Sequence, residues 1–284
     1  AEIRYKITDK LEAIGSGTFG MGDAVYSNDT RYQLKGFQLG QYRLELKSKN
    51  WFIRGYTTRE NSGKTVVAGY TAQLVNEAWK PSYDPNSGDG WYPQYTGALI
   101  YGLATGASYN DASYAARQFA DQGRPAPGSD RLYQMRDSIS GYPSNLGGTQ
   151  FLDRSKLYNI EGQYNFSSLV KVVDLIGGLN YRVYSLNSKG TLFPDTDGPI
   201  SVKEYSAYVQ ASKKLVDNRL TIGASFRWDK NSLFEKAQVT SRLSAVFEAA
   251  RNNFIRFSYQ NAYSFPNNIQ TLQSTLQGAS PLYY

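Results

Sequence analysis

The chain has 284 residues, with no His, no Cys, 24 Tyr, 26 Gly and a formal net charge of +7. Without His or Cys it cannot build a Ser-His-Asp triad, a Cys-His nucleophile or a His- or Cys-ligated zinc site. No apolar run reaches the roughly 18 residues of a membrane-spanning helix, a criterion that says nothing of barrel strands, which alternate.

The N-terminal AEIRYKITDK alternates as a strand and does not read as a signal peptide. Period-2 segments then recur near residues 1–8, 11–20, 31–47, 51–59, 155–166, 175–187, 201–214, 219–229, 237–248 and 254–263. GSGTFGMG at 15–22 reads as a strand end, since no helix bearing Lys-Ser/Thr follows as a phosphate loop needs. The stretch 60–153 is a large insert with short helices. TAQLVNEAWK (71–80) is weakly helical, and DPNSGDG (84–90) is a turn rather than a calcium loop, because Gly88 sits where a ligand belongs. A stronger helix is capped by Asn110 or Asp111, has Ala112, Ala115, Ala116, Phe119 and Ala120 as its apolar stripe, and stops at Gly123 and Pro125. The insert is expected to form a small cap over the outer mouth, either as a shield or as a ligand-contacting lid.

Connections alternate in length. Short ones are TDK after the first strand, KSKN (47–50), FSSLVKVVD (166–174), LVDNR (215–219) and EAARNN (248–253). Longer ones are MGDAVYSNDT (21–30), the insert, SLNSKGTLFPDTDGPI (185–200), DKNSLFEK (229–236) and a segment starting at 264. Short turns at one rim and long loops at the other mark an antiparallel transmembrane β-barrel. In NRLTIGASFRWDKN, Leu220, Ile222, Ala224, Phe226 and Trp228 then face lipid, opposite Ser225, Arg227 and Asp229. Arg or Lys facing lipid near the midplane costs roughly 2–4 kcal/mol, so Arg182, Arg227, Arg242 and Arg256 should face inward.

Extending that register gives an expected lumen side. It carries Arg54 and Tyr56; Asn159, Glu161 and Gln163; Asn180, Arg182 and Tyr184; and Glu204, Ser206, Tyr208 and Gln210. It continues with Ser225, Arg227 and Asp229; Gln238, Thr240, Arg242 and Ser244; and Arg256, Ser258 and Gln260. Tyr205 and Trp228 suit an aromatic girdle at headgroup level. The carboxylate pairs Asp195/Asp197 and Asp84/Asp89 sit among Gly and Pro, where turn formation explains them better than catalysis. No catalytic, metal or cofactor site is expected.

FRWDKNSLFEKAQVTSRLSAVFEAARNNFIRFSYQNAYSFPN (226–267) resembles the late barrel of TonB-dependent outer-membrane receptors. The resemblance rests on Arg227-Trp228-Asp229, Arg242-Leu243-Ser244-Ala245-Val246-Phe247, Arg256-Phe257-Ser258-Tyr259 and Phe265-Pro266 in order. FADQGRPAPG, DRSKLYNIEGQYNF and SLNSKGTLFPDTDG look like the same family. It implies a barrel of about 22 strands around an N-terminal plug, of which this chain would be a central section of about ten strands. The plug and the C-terminal strands would lie outside it, since QGASPLYY (277–284) does not alternate as a closing strand.

The same resemblance implies TonB-dependent import of a bulky nutrient across the outer membrane of a Gram-negative bacterium, such as an oligosaccharide, peptide or siderophore. It implies the TonB-ExbB-ExbD complex as partner through the plug, contact with outer-membrane lipid and lipopolysaccharide, and no nucleic acid. Motif style favours the SusC-like branch, with a SusD-like lipoprotein as a further partner. Most of the lumen residues would then dock the plug, with substrate contact at Tyr184, Arg227 and Asp229. The rival from another class is a passive porin or a structural barrel in an envelope assembly.

Overall fold

A computed structural model describes residues 1–27 and 31–272. Among the described residues twelve strands join one sheet. They are β1 (Glu2–Thr8), β2 (Leu11–Ser27), β3 (Arg31–Ser48), β4 (Trp51–Asn61), β5 (Thr65–Val67), β6 (Gln150–Phe151), β7 (Lys156–Asn165), β8 (Asp174–Leu186), β9 (Ile200–Leu215), β10 (Leu220–Asn231), β11 (Gln238–Ala250) and β12 (Asn253–Gln260). The main path runs β1-β2-β3-β4-β7-β8-β9-β10-β11-β12, with β5 pairing β3 and β6 beside it. Apart from that excursion, each strand pairs with the next, the meander of an up-and-down barrel wall.

Hairpin turns at 9–10, 49–50, 166–173, 216–219 and 251–252 share one rim. The turn at 216–219 passes through the left-handed region at Val216, Asp217 and Asn218 (φ 54°, 52° and 68°), which a tight reversal between twisted strands demands. The opposite rim carries 62–155, 187–199 and 232–237. The expected loop at 21–30 differs: β2 stays extended through Ser27, because its alternation continues past Met21 and β3 is long enough to pair with it. GSGTFGMG is therefore mid-strand, not a strand end. QGASPLYY lies outside the described residues.

The sheet is inverted relative to a soluble one. Ile3, Leu44, Leu179 and Phe257 are 75%, 74%, 68% and 68% exposed, and they share one face with Ile53, Ile160, Phe226, Leu243 and Tyr259. Each such side chain left in water forgoes about 1.5–3 kcal/mol of burial. A face with many of them is stable only against another apolar medium. The opposite face carries the ion pairs. An antiparallel meander with this polarity is the wall of a transmembrane β-barrel.

The described residues cluster into two compact units, one of residues 1–22, 37–63 and 153–272, the other of 23–27, 31–36 and 64–152. The second contains α1 (Ala68–Trp79), α2 (Trp91–Ala104), α3 (Tyr109–Ala120) and α4 (Asp130–Ser140). The cap of α3 is Ser108, not Asn110 or Asp111: its Oγ accepts from Asp111 N and donates to Asp111 Oδ2. Ala112, Ala116 and Ala120 are buried, whereas Ala115 and Phe119, expected in the stripe, are exposed. The buried stripe is all alanine because α2 packs so close that a Cβ on Gly102 would sit 2.9 Å from Ala112 Cβ. Gly123 (φ 79°) ends the following turn as expected.

Helices α2 and α4 were not expected. Gly and aromatic residues blur the apolar face of α2, and Pro93 is tolerated because it lies in the first turn, where N–H groups lack intrahelical acceptors. Ahead of α2, Asp84 accepts from Asn86 N and Ser87 Oγ, which holds its carboxyl below the ordinary value and closes the turn.

Candidate functional site: the polar face of the sheet

Cross-strand register assembles the polar face into rows. One row is Arg54, Glu161, Asn180, Ser206, Asp229 and Gln238. The next towards the long-loop rim is Tyr56, Asn159, Arg182, Glu204 and Asn231. The row on the other side carries Gln163, Gly178, Tyr208, Arg227 and Thr240. Alternation puts these side chains on one side of each strand, and register aligns those sides into one surface.

Within it the groups neutralise one another. Arg54 Nε donates to Glu161 Oε1 at 2.6 Å, and Glu45 lies 3.8 Å from its guanidinium. Asn180 bridges, donating to Asn159 Oδ1 at 2.9 Å and to Glu161 Oε2 at 3.3 Å. Arg182 donates to Asn159 Oδ1, Tyr184 Oη and Glu204 Oε2, while Asn231 donates to Glu204 Oε1 at 3.0 Å. Arg227 Nε lies 2.8 Å from Asp229 Oδ2, and Ser206 Oγ donates to Asp229 Oδ1 at 2.6 Å. Tyr208 donates to Gln163 Oε1 at 2.6 Å. On this face the buried Asn159 Nδ2 and Arg43 Nε stay unmatched among the described residues.

The structure thus brings together Arg54, Arg182, Tyr184, Tyr208, Arg227 and Asp229. Arg242 and Arg256 lie on the same face, paired with Gln260 and Val246 across the strands, but both are exposed and neither makes an ion pair among the described residues. Tyr205 and Trp228 lie on the apolar face, 41% and 42% exposed, with the Tyr205 ring 4.9 Å from that of Tyr181. Arg43 and Glu45 were missed, although QYRLELKS alternates plainly. Arg43 binds Glu2 at 3.0 Å and reaches Glu45 at 4.0 Å. Among the described residues no group of His, Cys, Asp or Glu could hold a metal ion.

At the long-loop rim, the 187–199 segment is a built structure. Asp195 is 3% exposed and accepts from Ser188 N, Ser188 Oγ, Lys189 N and Gly190 N. Burial works against its charge, but these donors outweigh burial and hold the carboxyl below its ordinary value. Asp195 is a structural keystone and Asp197 takes no part in these bonds, so the pair offers no acid-base dyad.

The family described as "TonB dependent receptor-like, beta-barrel" matches residues 7–283. The chain belongs to this family. Its members are outer-membrane proteins of Gram-negative bacteria that transport substrates with energy delivered through TonB, and it is a family of transporters, not enzymes. No curated relative matches the chain.

Proposed function

We propose that this barrel imports a bulky nutrient, such as an oligosaccharide, peptide or siderophore, driven by a TonB-ExbB-ExbD complex pulling on a plug inside the lumen. The carrying observation is the self-neutralised polar face. An open pore leaves wall charges to water, whereas Arg54, Arg182 and Arg227 are each engaged with a neighbouring carboxylate. That surface suits a docked plug, with Arg242 and Arg256 left to pair with it. Substrate contact falls to Tyr184, Arg227 and Asp229 towards the long-loop rim.

In this reading the insert at 60–153 is an extracellular element. Its exposed Tyr92, Tyr101, Tyr109 and Tyr114 offer flat amphipathic surfaces suited to sugar rings or peptide. They support placement in the SusC-like branch, with a SusD-like surface lipoprotein as partner. Uptake of fluorescent oligosaccharides, peptides and siderophores into cells carrying the full-length receptor tests the reading. Accumulation should stop when TonB is deleted. Uptake that persists without TonB would instead establish a passive channel.

A further inference from the structure

The apolar face ends, on the long-loop side, in a slanted line of cations. Arg59 of β4 is the direct cross-strand partner of Lys156 of β7. Lys203 of β9 lies one pair lower, in the row of Val183 and Tyr158. Lys230 of β10 lies one pair lower again, opposite Tyr205. The short-turn rim descends in the same sense: β4 and β7 turn just past Trp51 and Tyr164, whereas β9 and β10 continue to Leu215 and Leu220. Barrel strands tilt about 35–45° from the membrane normal, so a line descending with that rim runs along the membrane plane.

Among the described residues these cations have no counter-ions. Every ion pair described in the sheet lies on the opposite face, so Arg59, Lys156 and Lys203 have no carboxylate partner among the described residues. All three are exposed, whereas Lys230 is held by the carbonyls of Phe234 and Glu235 at 2.6 and 2.5 Å. Like charges directly opposite each other weaken an antiparallel pair, and an anion between Arg59 and Lys156 removes that repulsion. Directly below them, on the same face, lies an apolar groove of about 890 Å³. Gly15, Gly17 and Gly55 form its floor, with Leu44, Ile160 and Tyr181 among its walls.

We infer that Arg59, Lys156 and Lys203 bind the phosphate of a phosphorylated outer-leaflet lipid whose acyl chain lies in this groove. The directly paired guanidinium of Arg59 and ammonium of Lys156 match a multiply charged phosphate better than a single carboxylate, and Lys203, two strands further on, extends the cationic line towards a second phosphate of the same lipid. The groove directly beneath makes the source a lipid rather than a free anion. The inference rests on the apolar face meeting the membrane.

Full-length receptor in non-ionic detergent, titrated with bis-phosphorylated lipid A and followed by native mass spectrometry, tests it. Replacing Arg59, Lys156 and Lys203 together by Gln should weaken binding about tenfold, and Lys203→Gln alone about threefold. Lys213→Gln, on the same face near the short-turn rim, should bind as wild type. Dephosphorylated lipid A should bind the wild type about tenfold more weakly. Retention of the heat-modifiable gel shift by each variant shows that its barrel is folded. Equal binding by the triple variant or by the dephosphorylated lipid overturns the inference, as does inorganic phosphate binding this site while lipid A does not. Those outcomes, obtained while a spin label at Ile222 still contacts lipid, would leave the barrel reading intact.

Discussion

The Tyr208 ring lies against Gly178, its cross-strand partner, so closely that a Cβ on Gly178 would stand 2.5 Å from the ring. Gly178 is therefore the space in which Tyr208 reaches Gln163. Gly178→Ala must displace the phenol and break the 2.6 Å bond to Gln163 Oε1. The expected loss is about 1–3 kcal/mol in urea unfolding, from overpacking plus a lost hydrogen bond. At Gly177 the nearest contact of an added Cβ is ordinary, 3.4 Å from Phe166, so Gly177→Ala should cost less than about 1 kcal/mol.

The opposite polarity of adjacent residues on β10 gives a direct test of orientation. Ala224 and Ser225 alternate onto the apolar and polar faces. Ala224→Arg near mid-span should destabilise the barrel by roughly 2–4 kcal/mol, and Ser225→Asn by less than about 0.5. Spin labels at Ile222 and Ser225 should be relaxed by oxygen dissolved in lipid and by a water-soluble reagent, respectively. A more lipid-exposed Ser225 would reverse the face assignment.

The Arg54–Glu161 contact is the centre of the polar face. A double-mutant cycle with Arg54→Ala and Glu161→Ala should return a coupling of about 1–3 kcal/mol, because the contact is a charge-assisted hydrogen bond in a partly buried row. Coupling near zero would mean that Glu45, which also approaches Arg54, replaces Glu161 without loss.

Acid should open the 187–199 segment selectively. The folded-state pKa of Asp195 is depressed, so its contribution is present above the unfolded carboxylate value and lost as pH falls through the folded one. Hydrogen exchange at Ser188, Lys189 and Gly190 should rise below about pH 4, where an unfolded Asp begins to protonate. Asp195→Ala should give the same rapid exchange at neutral pH, with the three N–H donors left unsatisfied.

In the helical unit the α2–α3 contact has no spare room. Gly102→Leu should force the helices apart against Ala112 and raise hydrogen exchange across 91–120, while the sheet strands exchange as before.

The faces of the sheet were legible from alternation because a strand's side-chain period is two and admits no drift. Arg227 and Asp229 were assignable to one face and Trp228 to the other before any coordinate was known. Arg43 and Glu45 obey the same rule on β3, where Arg, Glu and Lys alternate with Tyr and Leu. The helical insert was less legible. From sequence the cap is expected at Asn110 or Asp111, and only the backbone path shows that Ser108 meets the free N–H group of Asp111. The face that α3 buries was misread at Ala115 and Phe119, since α2, which covers it, carries a weak pattern of its own.

By itself the sequence determined the strand alternation, the unequal rims and the impossibility of His or Cys chemistry, all of which are local or compositional. Only tertiary structure decided which strands align and at which residue. Register is a relation between distant segments, and shifting it by one residue turns every side chain of a strand to the other face. That relation makes Arg54 the neighbour of Glu161, sets Tyr208 against Gly178, and draws Arg59, Lys156 and Lys203 into one line.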